Sequence, residues 1–127
     1  MGLDMYLNGE KYHSSKMARK VEEGVELKRE IFELGYWRKH PNLHGYIVET
    51  FAGGVDECQR IDLSAENLQQ ILDAVKKNVL PHTDGFFFGE SDSADYQDTI
   101  GQLGKAVEWL NAEEKDIWRS VNYQASW

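Results

Sequence analysis

The segment from residue 36 to residue 44 holds the densest group of side chains in this sequence that could bind a ligand. It contains two aromatic rings, two cations and two histidines, namely Tyr36, Trp37, Arg38, Lys39, His40 and His44. Aromatic rings stack on a base and Arg or Lys pairs with phosphate, so the combination is typical of a nucleotide or short-oligonucleotide site. The alternative is structural, with both rings in the core and both cations extending to water.

One continuous helix through this segment would place Trp37, His40 and His44 along one face, followed by Ile47 one turn further on. The two histidines have the i, i+4 spacing of paired metal ligands, but the glutamate of the HExxH pattern is missing. Imidazoles that hydrogen-bond a ligand or the backbone therefore fit the sequence better than zinc ligands. We expect neither a bound metal nor another cofactor.

A second candidate region is the triple phenylalanine at 86–88, which lies between two glycines and precedes a serine-rich helix start. It loosely resembles a phosphate-binding loop, although the GxGxxG and GxxxxGK[ST] patterns are absent. Three acidic residues would repel an anion at the helix start: Glu90, Asp92 and Asp95. A buried strand is the favoured interpretation, and we expect Phe87 to contact the same ligand as the first cluster.

Patterns typical of catalysis are sparse. The sequence has no GxSxG motif, and its carboxylates are too numerous for any two to be singled out as an acid and base pair. The single cysteine, Cys58, excludes an intramolecular disulfide. Enzymatic activity is therefore the less favoured hypothesis.

The balance of acidic and basic residues argues against some classes of binding partner. The 127 residues include 14 Lys and Arg against 22 Asp and Glu, which gives a formal net charge of −8. This balance argues against binding of duplex DNA or anionic membranes, and an acidic surface can instead imitate nucleic acid toward a basic protein. There is no signal-peptide pattern and no run of about 18 apolar residues, so we expect an intracellular protein that does not span a membrane.

The periodicities predict a single α+β domain over residues 1–127, with a small, mostly antiparallel or mixed sheet of three to four strands and about four helices mainly on one face. Residues 2–11 alternate like a strand. A long helix is expected from Ser14 or Ser15 to Leu34, with a charged, solvated face. A shorter helix carries Leu43, Ile47 and Phe51 and stops at 53–54; it either begins at Pro41 or continues a longer helix that is kinked there.

The second half of the chain is more regular. Residues 58–63 suit a short strand, and Ser64 can cap a helix whose apolar stripe runs through Leu68, Ile71, Leu72, Val75 and Val79. Ser91 or Ser93 can start a fourth helix, and Asp92 and Asp95 complement its positive end. The tail from 116 to 127 alternates loosely, which predicts a last strand.

Three blocks of the sequence are similar to a group of small uncharacterised proteins encoded by bacteriophages and prophages. The blocks are Met1-Gly2-Leu3-Asp4-Met5-Tyr6-Leu7, then Tyr36-Trp37-Arg38-Lys39 with His44, and then Pro81 with Gly85-Phe86-Phe87-Phe88-Gly89. In the group the helix that carries the second block is uninterrupted, and Pro41 departs from this. The resemblance implies expression in the bacterial cytoplasm during infection or lysogeny, and it brings no established activity.

These observations lead to one favoured function and two alternatives. The favoured one is a non-enzymatic phage accessory protein that binds a small nucleotide-like ligand and sequesters a host defence signal, with Trp37 stacking and Arg38, Lys39 and His44 in polar contact. The first alternative is an acidic inhibitor of a basic host protein that uses Glu22, Glu26 and Glu30 on the long helix. The second is a small metal-assisted hydrolase at His40 and His44. A homo-oligomer is a further hypothesis, with the tail ending at Trp127 as a contact.

Overall fold

The computed structural model describes residues 2–14, 19–84 and 89–127, with the backbone alone at 19–21. The elements in chain order are β1 (Asp4–His13), β2 (Arg19–Glu22), β3 (Val25–Leu27), β4 (Arg29–Arg38), α1 (Pro41–Phe51), β5 (Ile61–Leu63), α2 (Ala65–Lys76), α3 (Ser93–Asn111) and β6 (Ile117–Ser126). The expected strand at 86–88 lies outside the described residues.

Four strands form one antiparallel sheet in the order β4-β1-β6-β5, and β2 pairs with β3 in a separate two-stranded sheet. The α+β class and the antiparallel sheet are therefore confirmed, with three helices in the described residues instead of the four expected. The first and last predicted strands are the two central ones. They lie side by side although they come from opposite ends of the chain.

The prediction of a long helix from Ser14 or Ser15 to Leu34 is wrong. The described part of that stretch is β2, β3 and the first half of β4. Gly24 turns the chain between β2 and β3 with a φ of 78°, a conformation that favours glycine. The acidic helical face is consequently not formed, since Glu22 and Glu26 lie on the β2–β3 ribbon and Glu30 bonds His13 at 2.8 Å.

A bulge in β4 explains why its sequence looks helical. Leu7 of β1 pairs with Gly35, whereas the next residue, Asn8, pairs with Glu33, so Leu34 is an extra residue. Before the bulge the even-numbered residues of β4 are the more buried ones, and after it the odd-numbered residues are buried. This change of face breaks the period of two and produces apolar spacings of three and four.

Helix α1 begins at Pro41. Of the two predicted alternatives, the one with a longer helix kinked at Pro41 is therefore wrong. Strand β4 ends at Arg38, and Lys39 turns the chain with a φ of 57°. Proline suits the first helical position because its ring fixes φ and that position needs no N–H donor. The continuous helical face with Trp37, His40 and His44 is therefore not formed.

Both later helices are capped through side chains. Ser64 accepts from the Asn67 N–H at the start of α2, as expected. At α3 the cap is Asp92, and neither Ser91 nor Ser93 takes that role; Asp92 and Asp95 each accept from the other's backbone N–H. A carboxylate satisfies the free donors and also the positive end of the helix dipole, which favours it over serine.

The core lies between one face of the sheet and the three helices. Odd-numbered residues of β1 and β6 point into it, together with Leu3 before β1 and residues of α1, α2 and α3. The buried residues include Leu3, Met5, Leu7, Leu43, Ile47, Leu68, Ile71, Leu72, Val75, Leu103, Val121 and Tyr123. Val79, expected in the α2 stripe, lies past the end of that helix and is 60% exposed. No helix in the described ranges is long and apolar enough to cross a membrane.

Candidate functional site

Strand β4 separates the predicted ligand cluster into two environments. Alternation along the strand places Tyr36 and Arg38 on the face of the sheet that carries no helix, whereas Trp37 points into the core. Trp37 is only 4% exposed, and its Nε1 donates to Thr99 Oγ1 at 2.9 Å. Because the ring is packed and its only polar group is satisfied, a ligand cannot stack on Trp37 in this fold.

His40 is fully buried in front of α1. Its Nδ1 lies 2.7 Å from Ser91 Oγ, which also accepts from the Asn42 N–H at 3.1 Å and so caps α1 from another part of the chain. His40 Nε2 makes no hydrogen bond with any described residue. Burial lowers the pKa of His40, and the charges of Asp95, Asp92 and Asp98 oppose this only in part.

His44 is also buried, but both of its ring nitrogens have partners. Nδ1 lies 2.6 Å from Tyr123 Oη, and Nε2 lies 2.9 Å from Asp56 Oδ2. Burial raises the pKa of Tyr123 well above 10, so the phenol stays protonated and donates to Nδ1. The Nε2–H then donates to Asp56, whose Oδ1 accepts from Trp127 Nε1 at 3.3 Å. The group ties α1 to β6 and to the loop before β5.

A cleft of about 480 Å³ adjoins this group. It lies between α1 and residues 81–84, and its lining includes three carboxylates and two imidazoles, those of Glu49, Asp56, Asp84, His44 and His82. The surplus of acid opposes an anionic ligand. No group of three or more His, Cys, Asp or Glu side chains within the described ranges could hold a metal ion, so the metal-assisted alternative has no ligand set there.

The helix-free face of the sheet brings a different set of side chains together. Strand register places Tyr36, Tyr6 and Gln124 in one row across β4, β1 and β6, with Arg38, Asp4 and Ser126 in the row on one side and Glu33, Asn8 and Asn122 in the row on the other. We call this region the open-face corner and define it by Tyr6, Asn8, Tyr36, Arg38, Lys39, Gln124 and Ser126.

The open-face corner combines a groove with an aromatic surface. The groove measures about 240 Å³ and is lined by Tyr6, Asn8, Cys58, Gln124, Ala125 and Ser126. At its edge the centroids of the Tyr6 and Tyr36 rings lie 5.3 Å apart, and the two ring planes are tilted by 51° to each other. Tyr36 is 39% exposed, so part of its ring is accessible to a ligand.

The charged groups at this corner are two exposed cations, Arg38 and Lys39, and one partly buried carboxylate, Asp4. Tyr36 Oη donates to Asp4 Oδ1 at 2.6 Å, and this hydrogen bond raises the pKa of Tyr36. Arg38 Nη1 lies 4.0 Å from the same carboxylate oxygen, with the Arg38 side chain 56% exposed. A Cβ on Gly2 would lie 3.3 Å from both Arg38 Nη2 and Lys39 Cε, so the two cations converge at the end of the face.

Helix α3 fixes the backbone of this corner. The Gln102 side chain accepts from the Tyr36 N–H at 2.7 Å and donates to the Tyr36 carbonyl at 3.3 Å. One amide group therefore takes the place of a neighbouring strand at the outer edge of β4. Tyr36 is held in position although no strand among the described residues pairs with that edge.

The structure thus brings together only part of the predicted set. Tyr36, Arg38 and Lys39 lie at the open-face corner, whereas Trp37, His40 and His44 lie in the interior behind them. Phe87 lies outside the described residues. Sequence reasoning missed Tyr6, Asn8, Gln124 and Ser126, because their alternation within two predicted strands was visible but the pairing of those strands was not.

Asp56 and Tyr123 were also missed as partners of His44. They are 12 and 79 residues away from it in the sequence, and no local spacing links them. No family model matches this sequence, and no curated protein or solved structure is significantly similar to it. Its function has to be inferred from the geometry of the site.

Proposed function

We propose that this protein is a non-enzymatic binder of a small nucleotide-like ligand, held at the open-face corner. The observation that supports this proposal is the tilted pair of Tyr6 and Tyr36, with cations on one side and amide side chains on the other. A base stacks on the exposed aromatic surface. The amide of Asn8 offers a donor and an acceptor to its edge, and Gln124, whose Nε2 donates to the Cys58 carbonyl at 2.9 Å, offers its amide oxygen as an acceptor.

The charges of the corner limit the ligand. Arg38 and Lys39 provide positive charge for a phosphate, but Asp4 lies against Arg38 and would repel an anion. A ligand with one negative charge, such as a cyclic mononucleotide, loses less to this repulsion than a nucleoside di- or triphosphate. We therefore expect the strongest binding from nucleotides of low charge.

The proposed role follows from the ligand class and from the sequence resemblance. The similarity to bacteriophage and prophage proteins supports an accessory protein of the bacterial cytoplasm. A non-enzymatic binder acts on a small ligand by holding it. Sequestration of a host nucleotide signal is accordingly the role we propose, with Tyr6 and Tyr36 replacing Trp37 as the stacking surface.

Calorimetry with a panel of mono-, di- and cyclic nucleotides tests the proposal. Tyr36→Leu should weaken binding of the preferred nucleotide about 5- to 150-fold, since stacking of a base contributes roughly 1–3 kcal/mol. Arg38→Gln should weaken charged ligands more than the corresponding nucleoside. The matched controls are Trp118→Leu, an aromatic residue that is 76% exposed at the other end of the same face, and Lys105→Gln, an exposed cation on α3.

Two results would count against this site. One is the absence of heat with every nucleotide in the panel at millimolar concentration. The other is an equal loss of affinity in Tyr36→Leu and Trp118→Leu, which would place the ligand elsewhere or indicate non-specific contact. Circular dichroism of each variant establishes that the fold is unchanged.

A further inference from the structure

Strand β4 forms the outer edge of the sheet, and among the described residues it pairs only with β1. The His13 N–H bonds the Lys28 carbonyl, so the odd-numbered residues of β1 direct their backbone groups toward the β4 side. Arg29, Ile31 and Glu33 lie opposite even-numbered residues of β1. In an antiparallel pair such residues turn their N–H and C=O groups away from the partner, so those of Arg29, Ile31 and Glu33 point outward.

This free edge has a defined length. At one end the Gln102 side chain occupies the backbone groups of Tyr36. At the other end β4 begins at Arg29. The stretch open to pairing is therefore centred on Ile31, a large apolar side chain that is 60% exposed. An exposed apolar edge of this kind is a template for another strand.

Two opposite charges lie on this edge at equal distances from Ile31. Arg29 precedes Ile31 by two residues and Glu33 follows it by two, and all three side chains are exposed on the same face. Within the described part of the chain neither Arg29 nor Glu33 forms an ion pair. The pattern is cation, apolar residue, anion, at the spacing of one face of a strand.

We propose that two copies of this chain pair through β4, antiparallel, about a two-fold axis that passes beside Ile31. In that register Ile31 lies opposite Ile31 of the partner subunit, and Arg29 lies opposite Glu33 of the partner subunit. Residues with outward backbone groups then face one another, as a hydrogen-bonded ladder requires. Two four-stranded sheets join into one continuous sheet.

A second copy fits this edge better than an unrelated peptide because the pattern is complementary to itself. An antiparallel two-fold reverses the order of residues, so each cation meets an anion and both apolar residues meet at the centre. The open-face corner stays accessible in the dimer, since Gln102 prevents pairing as far as Tyr36. The interface is therefore independent of ligand binding and of the proposed function.

Sedimentation velocity over a range of protein concentrations tests this interface through a charge swap. Arg29→Glu places glutamates opposite each other at two symmetric positions, and Glu33→Arg does the same with arginines. Each single variant should raise the dimer dissociation constant about tenfold, because opposed like charges destabilise a cross-strand pair. The double variant R29E/E33R restores opposite charges at both positions and should recover dimerisation.

Lys105→Glu and Glu108→Arg are the matched controls, since they make the same charge changes at exposed positions on α3. They should leave the dissociation constant within about twofold of the wild type. A wild-type protein that stays monomeric up to hundreds of micromolar overturns the proposal. So does a dimer that is weakened equally by the single and the double variants, because the complementarity of Arg29 and Glu33 would then have no effect.

Discussion

His40, just before α1, and His44, within it, are both buried, but the hydrogen-bonding groups of their rings are not equally satisfied. His44 bonds Tyr123 and Asp56 through its two nitrogens, and it connects three parts of the chain. His40 bonds Ser91 through Nδ1, while its Nε2 has no partner among the described residues. His44 therefore contributes mainly through its hydrogen bonds, whereas burial lowers the pKa of His40.

Tyr123→Phe should lower the free energy of unfolding by about 1–3 kcal/mol, because it removes a hydrogen bond between two buried side chains, Tyr123 and His44. Tyr36→Phe is the matched control, since it also removes a phenol hydrogen bond but at an exposed position, and it should change stability much less than Tyr123→Phe does. Urea denaturation followed by circular dichroism measures both. Equal effects of the two substitutions would contradict a stabilising role for the buried group.

The lowered pKa of His40 predicts a loss of stability in acid. The folded state keeps the imidazole neutral below its ordinary pKa of 6.5, whereas the unfolded chain takes up a proton there. The contribution is thus fully present above pH 6.5 and declines as the pH falls below it. Stability measured between pH 7.5 and 5 should fall less steeply in His40→Asn than in the wild type. An NMR titration that places the His40 pKa at or above 6.5 would refute this.

At the scale of elements, glycines in two helices have opposite roles. A Cβ on Gly45 of α1 would lie 2.0 Å from Thr83 Oγ1, so the absence of a side chain lets residues 81–84 pack on this helix. A Cβ on Gly101 of α3 would have no neighbouring heavy atom of the described residues within 4 Å. Gly45 therefore permits close packing between α1 and residues 81–84, whereas Gly101 only lowers the helix propensity of α3.

Gly45→Ala should destabilise the protein by about 1–3 kcal/mol through overpacking against Thr83. Gly101→Ala should stabilise it by about 0.5–1 kcal/mol, because alanine costs less conformational entropy in a helix. Thermal and urea denaturation of the two variants decide the matter. A stabilising Gly45→Ala would mean that residues 81–84 do not pack closely on α1.

Single elements were predictable where their own sequence pattern was uninterrupted. The stripe of Leu68, Ile71, Leu72 and Val75 predicted α2, and Ser64 predicted its start. Strand β4 was misread because the bulge at Leu34 moves its buried residues from one face to the other. A bulge depends on pairing with β1, so the periodicity of β4 alone cannot reveal it.

At the scale of the whole molecule, the helices pack on one face of the sheet, and both proposed binding surfaces lie outside that packing, on the other face and at the outer edge of β4. The open-face corner lies at the C-terminal end of β4, and the proposed two-fold axis passes beside Ile31 in the N-terminal half of the same strand. Gln102 bonds the backbone of Tyr36 between the two proposed surfaces. The acidic net charge of −8 remains compatible with both proposals, since the cations involved are few and local.

The sequence by itself determined the α+β class, the first and last strands, and helix α2 with its Ser64 cap, because each of these follows from a short-range pattern of apolar and polar residues. It also indicated that residues 36–44 were unusual. Only the tertiary structure decided which of them lie on the helix-free face of the sheet and which lie in the core, since that depends on the pairing of β4 with β1. It likewise decided that His44 belongs with Tyr123, because hydrogen bonds between distant segments leave no trace in local spacing.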